Sequence, residues 1–184
     1  MRNFLIAATL MVLVSLVTWH MDNAQQPPQI AIIDTPVSAL HAESAPEVAF
    51  TTLDKQKHNL SDFKGRRVIL NIWATWCTPC LAEMPQLLSI ARANPDDLTL
   101  ILLSVDSDQA AIAPFFKRHD LTLPDNALVV WDKDKAISKD LFGTVRYPET
   151  VLIDTDGLMA KKVSGAVDWT GEDMSAVLTG LNAP

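Results

Sequence analysis

Val68-Ile69-Leu70-Asn71-Ile72-Trp73-Ala74-Thr75-Trp76-Cys77-Thr78-Pro79-Cys80 is the stretch on which the reading of this chain turns. Val68 to Trp73 is a nearly continuous apolar run, the pattern of a central parallel strand covered on both faces. Thr78 to Ala93 then takes up helical periodicity, with Cys80, Met84, Leu87, Leu88 and Ala91 on one stripe. Asn94-Pro95 closes it, and Pro85 is expected to bend it. The two cysteines sit where the strand gives way to the helix. Three residues apart at a helix start, they lie close enough to join with little backbone movement. Cys77 falls at the positive end of the helix dipole, which favours a thiolate and makes it the attacking sulfur. Cys80 falls on the stripe that faces the sheet, which suits a buried, resolving thiol. A purely structural disulfide here would staple too small a loop to add much stability. Zinc would need further ligands, and His20, His41, His58 and His119 are scattered, so no metal is expected and redox use is preferred.

Outward from this centre, strands alternate with helices. Val48 to Leu53 alternates apolar and polar residues as an edge strand would, and Leu98 to Val105 is a second nearly continuous apolar run. Gln109 to His119 and Lys133 to Phe142 read as helices. Thr150 to Asp154 and Leu158 to Ser164 read as a hairpin turning at Thr155-Asp156-Gly157, and Glu172 to Leu181 as a last helix. The pattern is that of an α/β sheet protein, without internal repeat.

The chain has 184 residues, enough for one well-packed domain plus an appendage. Its net charge of -7 comes from scattered acidic residues, an ordinary solvated surface that argues against nucleic acid as a partner. Met1 and Arg2 precede an uncharged apolar run from Phe4 to Trp19, which as a helix would span roughly 24 Å. Residues 1–20 read as a signal or membrane anchor, with an uncleaved anchor preferred to a cleaved signal because no small-x-small site follows at once. Residues 21–46, rich in Gln, Pro, Ala and Ser, read as a linker, and 47–184 as the folded domain. Ile30 to Ile33 is an apolar island within the linker that either adds a strand or lies on the surface. Either exported reading puts the domain in an oxidising compartment, on the periplasmic side of the inner membrane if anchored or in the periplasm if the leader is cleaved, where a lone cysteine pair can cycle as a disulfide.

Trp73-Ala74-Thr75-Trp76-Cys77-Thr78-Pro79-Cys80, followed by Glu83 and Pro85, resembles the thioredoxin superfamily, and within it the membrane-anchored TlpA/ResA/CcmG branch. Leu60-Ser61-Asp62-Phe63-Lys64-Gly65, Ser104-Val105-Asp106, the helical stretch after it, and Tyr147-Pro148-Glu149-Thr150 support the likeness from Val48 to about Leu181. The resemblance implies a thioredoxin-like fold, a central mixed β-sheet flanked by helices with an inserted helical segment. It also implies a thiol-disulfide oxidoreductase without cofactor. Its partners would be disulfides of exported proteins, often apocytochrome c, with a membrane electron donor recharging it; Pro-Glu-Thr leans toward cytochrome c maturation.

The same resemblance makes Pro148 a cis-proline beside the cysteine pair and leaves the Tyr147 backbone free to pair with substrate. Arg146, where many relatives carry glycine, either points to solvent or faces Cys77, lowering its pKa or selecting acidic segments. Asn71 occupies the position of the buried aspartate of ordinary thioredoxins, and an amide cannot take a proton. Glu83, one helical turn past Cys80, is then expected to serve as proton partner, against the alternative of a helix-start surface carboxylate. Trp76 reads as an apolar docking surface shielding the sulfur and Trp73 as core, while His58 and His119 read as solvated. The alternatives are an oxidase that donates its disulfide, and a copper- or haem-handling protein using the dithiol as ligand. The latter would need a second ligand, and Met84, the only close one, lies on the core stripe.

Overall fold

The computed structural model describes residues 43–181. The expected anchor, Ile30 to Ile33 and most of the expected linker lie outside the described residues. The described chain builds a six-stranded sheet and a separate two-stranded one. In chain order the strands are β1 (Glu43–Ser44), β2 (Ala49–Thr51), β3 (Lys57–Asn59), β4 (Arg67–Trp73), β5 (Leu98–Ser104), β6 (Ala127–Trp131), β7 (Glu149–Ile153) and β8 (Leu158–Ser164). The helices are α1 (Thr78–Ala93), α2 (Ile112–Arg118) and α3 (Glu172–Thr179), with 3-10 turns at Leu60–Phe63 and Gln109–Ala111.

The large sheet runs β1-β8-β7-β4-β5-β6. β4, β5 and β6 are parallel, while β7 and β8 run antiparallel to them as the expected hairpin. The sheet is therefore mixed, as the thioredoxin-like fold requires. Every residue of β4 and β5 is buried, so both carry continuous apolar runs. α1 packs on β5 and contributes Met84 and Leu87, while Phe115 from α2 closes on the Trp73 ring at 4.9 Å between centroids. Each such fully buried side chain is worth about 1.5–3 kcal/mol over an exposed one. The β7–β8 turn is held by Asp154, whose Oδ1 accepts from the N–H groups of Asp156 and Leu158, and Gly157 takes the left-handed conformation there at φ 84°.

Several elements differ from the sequence reading. β1 falls in the stretch read as linker, pairing with β8 through Glu43 opposite Met159. Val48 to Leu53 does not join the large sheet as a full strand: β2 pairs with β3 in a small hairpin and touches β6 through a single Thr52–Val130 bridge. β3 and β6 are strands that the periodicity did not single out. Lys133 to Phe142 is not an α-helix but a short π-type turn, Ala136–Leu141. The Asp132 carboxylate accepts the N–H groups of Ile137 and Ser138, and Lys135 sits in the left-handed region at φ 57°, which shortens the helix from its N-terminal side. α1 itself runs unbroken through Pro85. His58 is not solvated: it is half-buried, its ring 5.8 Å from Phe50 and 5.6 Å from Phe63. His119 is exposed and Trp73 is core.

Candidate active site

β4 ends at Trp73, and the next three residues turn the chain into α1. That turn is held by Asp106, just past β5: its buried carboxylate accepts the Thr75 N–H, the Thr75 hydroxyl at 2.7 Å and the Ser104 hydroxyl at 2.7 Å. Three donors compensate a carboxylate that would otherwise be costly to bury. Cys77 is therefore delivered at a fixed position, as the residue that caps α1. Its Sγ accepts the backbone N–H of Cys80 at 3.3 Å, and Pro79 in the first turn has no N–H to leave unsatisfied. Sulfur at this point faces the unpaired amides of a helix start, the surroundings that favour a thiolate when the pair is reduced.

Cys77 and Cys80 are joined as a disulfide, their Cα atoms 5.3 Å apart. Cys80 is 0% exposed and Cys77 5%, so both are buried and only Cys77 keeps a contact with solvent. Beside them Trp76 is 63% exposed, its ring edge-on to half-buried Tyr147 with centroids 5.9 Å apart. The Tyr147–Pro148 bond is cis and Pro148 is buried. Val145 is 73% exposed, which extends the apolar surface along this loop. Arg146 is solvent-exposed and forms no hydrogen bond or ion pair with the described residues.

Glu83 is not a surface group; it is 3% exposed. Its Oε1 accepts from Asn71 Nδ2 at 2.8 Å and its Oε2 from Trp169 Nε1 at 3.1 Å. Burial pushes its pKa above the ordinary carboxylate range, and the bonds from Trp169, Asn71 and the Val167 main chain oppose that without cancelling it. Asn71, fully buried, also donates to Thr150 Oγ1 at 2.9 Å, which ties β4, β7 and α1 together at this point. Among the described residues no group of three or more His, Cys, Asp or Glu side chains is placed to hold a metal ion, and Met84 is fully buried in the core.

The loop carrying the cis bond is fastened at both ends by Lys162 on β8. Its Nζ donates to the Phe142 carbonyl at 2.6 Å and pairs with Glu149 Oε2 at 2.9 Å, while Glu149 Oε1 accepts the Ser164 hydroxyl. Asp106, Lys162 and Trp169 are the supporting residues that sequence reasoning passed over. Ser104-Val105-Asp106 carried a signal as a strand end, and Trp169 one as a lone large aromatic in a polar segment; Lys162 offered none.

A profile of the family described as Redoxin matches residues 41–178. Thiol-disulfide oxidoreductase ResA of Bacillus thuringiensis subsp. konkukian is 36% identical over 124 residues, 67% of this chain and 69% of that protein. Thioredoxin-like protein YneN of Bacillus subtilis is 28% identical over 162 residues, 86% of this chain and 88% of that one. Among solved structures, that of StoA from Bacillus subtilis superposes with a TM-score of 0.55 at 26% identity, covering 67% of this chain and 90% of that chain.

Proposed function

Because the chain belongs to the Redoxin family and is a thiol-disulfide oxidoreductase of the ResA type, we propose that it reduces disulfides of exported proteins, apocytochrome c among them, at the outer face of the membrane. The observation that carries the reading is the capping position of Cys77: its sulfur accepts the Cys80 N–H in the first turn of α1 and keeps the only solvent contact of the pair. In the reduced protein the Cys77 thiolate attacks a substrate sulfur, forming a mixed disulfide and releasing one substrate thiolate. Cys80 then loses its proton to Glu83 and attacks Cys77 Sγ. The second substrate thiol leaves, the Cys77–Cys80 disulfide is restored, and two electrons have passed to the substrate. A membrane-bound dithiol donor returns them, and no cofactor takes part.

Trp76, Val145 and Tyr147 supply an apolar platform for an extended substrate segment, the backbone before Pro148 pairs with it, and the exposed Arg146 favours an acidic side chain in that segment. The apolar run Phe4 to Trp19 supports N-terminal anchoring with the domain on the periplasmic side. The test is trapping. Cys80→Ala should accumulate mixed disulfides with exported proteins and Cys77→Ala should not; equal trapping by both would remove the assigned roles. The unsubstituted protein should reduce insulin when supplied with a dithiol and should fractionate with membranes.

A further inference from the structure

Glu83 has a roof. Between β8 and α3 the chain passes through residues 165–171, and the turn at Asp168-Trp169-Thr170 lies against α1. Gln86, one turn beyond Glu83 on α1, holds this turn with both ends of its amide: Oε1 accepts the Trp169 N–H at 2.8 Å and Nε2 donates to Asp168 Oδ1 at 3.2 Å. Asp168 Oδ1 also accepts the N–H and hydroxyl of Thr170, at 3.0 and 2.6 Å, which stiffens the turn from the solvent side. The outcome is that the Trp169 indole, fully buried, is aimed at Glu83 Oε2.

We propose that Trp169, clasped by Gln86, is the positioning residue that sets how tightly Glu83 holds a proton, and so the pH at which the cysteine pair exchanges. This rests on the reading of Glu83 as proton partner of Cys80. An indole N–H only donates, so it stabilises the carboxylate and gives nothing to the acid form on that lone pair. Asn71 does the same for Oε1, and each oxygen keeps a second lone pair for the proton that leaves Cys80. Without the indole the same burial would hold Glu83 protonated to higher pH, where it can accept nothing from Cys80. Other titratable groups do not supply this control. On and at the start of α1 these are the cysteines themselves and Arg92, which lies in the last turn and donates to the Thr122 carbonyl. On the β7–β8 hairpin Glu149 and Lys162 are engaged with each other, and at the start of β4 Arg67 is paired with Asp97. Asp168, Glu172 and Asp173 are exposed, and no charged side chain among the described residues hydrogen-bonds Glu83.

The experiment follows the Glu83 carboxyl stretch by infrared difference spectroscopy across pH in the reduced protein, with Glu83→Gln identifying the band. The rate of exchange with a small disulfide is measured in parallel. Trp169→Phe keeps an aromatic ring and removes the donor; it should move the Glu83 midpoint and the rate profile upward together, by about one pH unit, or about tenfold in proton affinity. Gln86→Ala leaves the indole but frees the turn, and should move both in the same direction by less. It also decides the matter if Trp169→Phe does not fold. An unmoved Glu83 midpoint in the folded variants overturns the inference even if Glu83→Gln alters the rate profile. A rate profile untouched by Glu83→Gln instead overturns the proton-partner reading beneath it.

Discussion

Replacing Asn71 with aspartate would put a second carboxyl group where the amide now donates to Glu83 at 2.8 Å. Both positions are buried, so neither group can escape into water. Two negative charges about 3 Å apart repel by about 5 kcal/mol at an effective dielectric constant near 20, equivalent to about four decades of proton affinity. The pair avoids this by keeping one proton between them through the neutral range and titrating as a unit. The sign of the stability effect follows. Burial already raises Glu83 in the folded state, so folding binds a proton and stability falls as pH rises through the folded value. Asn71→Asp extends that window upward: the variant should approach the parent near pH 5 and lose most by about pH 9. Its exchange rate at neutral pH should drop by on the order of tenfold to a hundredfold if, as proposed, Glu83 takes the Cys80 proton, because the shared proton leaves it unable to accept another. Thermal melts and exchange rates with a small disulfide, both across pH, measure this. Parallel melting curves and an unshifted rate profile would mean that residues 71 and 83 do not meet as described.

Lys162→Met should destabilise the protein by about 1–3 kcal/mol, because Glu149 loses its cation and the Phe142 carbonyl its donor. Burial raises the Glu149 carboxyl, but the bonds from Ser164 and Lys162 outweigh it and hold Glu149 below its ordinary 4.5, so this contribution is present above that value and fades as pH falls through the lowered one. Adding Glu149→Gln should recover part of the loss in melts at neutral pH. Asp106→Asn leaves Thr75 and Ser104 with one good acceptor fewer and should cost about 1–3 kcal/mol in urea unfolding, with slower exchange because the approach to Cys77 slackens.

The parts of the fold that announced themselves in the sequence are those where a single short-range rule governs. β4 and β5 are apolar on both faces because the sheet is covered on both faces, and α1 shows its stripe because one side meets that sheet. The cysteine pair needed only spacing and helix position. Glu83 was placed by its distance from Cys80, but its environment was not readable: Trp169 arrives from more than eighty residues away, and nothing local marks such a meeting. Lys133 to Phe142 misled for the opposite reason. Its composition suits a helix, yet the Asp132 carboxylate and the left-handed Lys135 start it late, and it winds as a wider π turn with the Phe142 N–H reaching back to the Ile137 carbonyl. β3, with three residues, is too short for periodicity to register.

The small β2–β3 hairpin has a consequence for how the protein behaves in company. β6 is the outermost strand of the large sheet, and a strand with one unpaired flank is a template on which another chain can continue the ladder. Here Thr52 bridges to Val130 and the Leu53 N–H donates to the Val129 carbonyl at 2.9 Å, so the hairpin's end crosses that flank at its middle. On the opposite margin β1 covers the first residues of β8, and the stretch beyond carries Lys161, whose charge disfavours stacking against a copy of itself. A thiol-disulfide oxidoreductase built this way offers other chains little free main chain along which to polymerise.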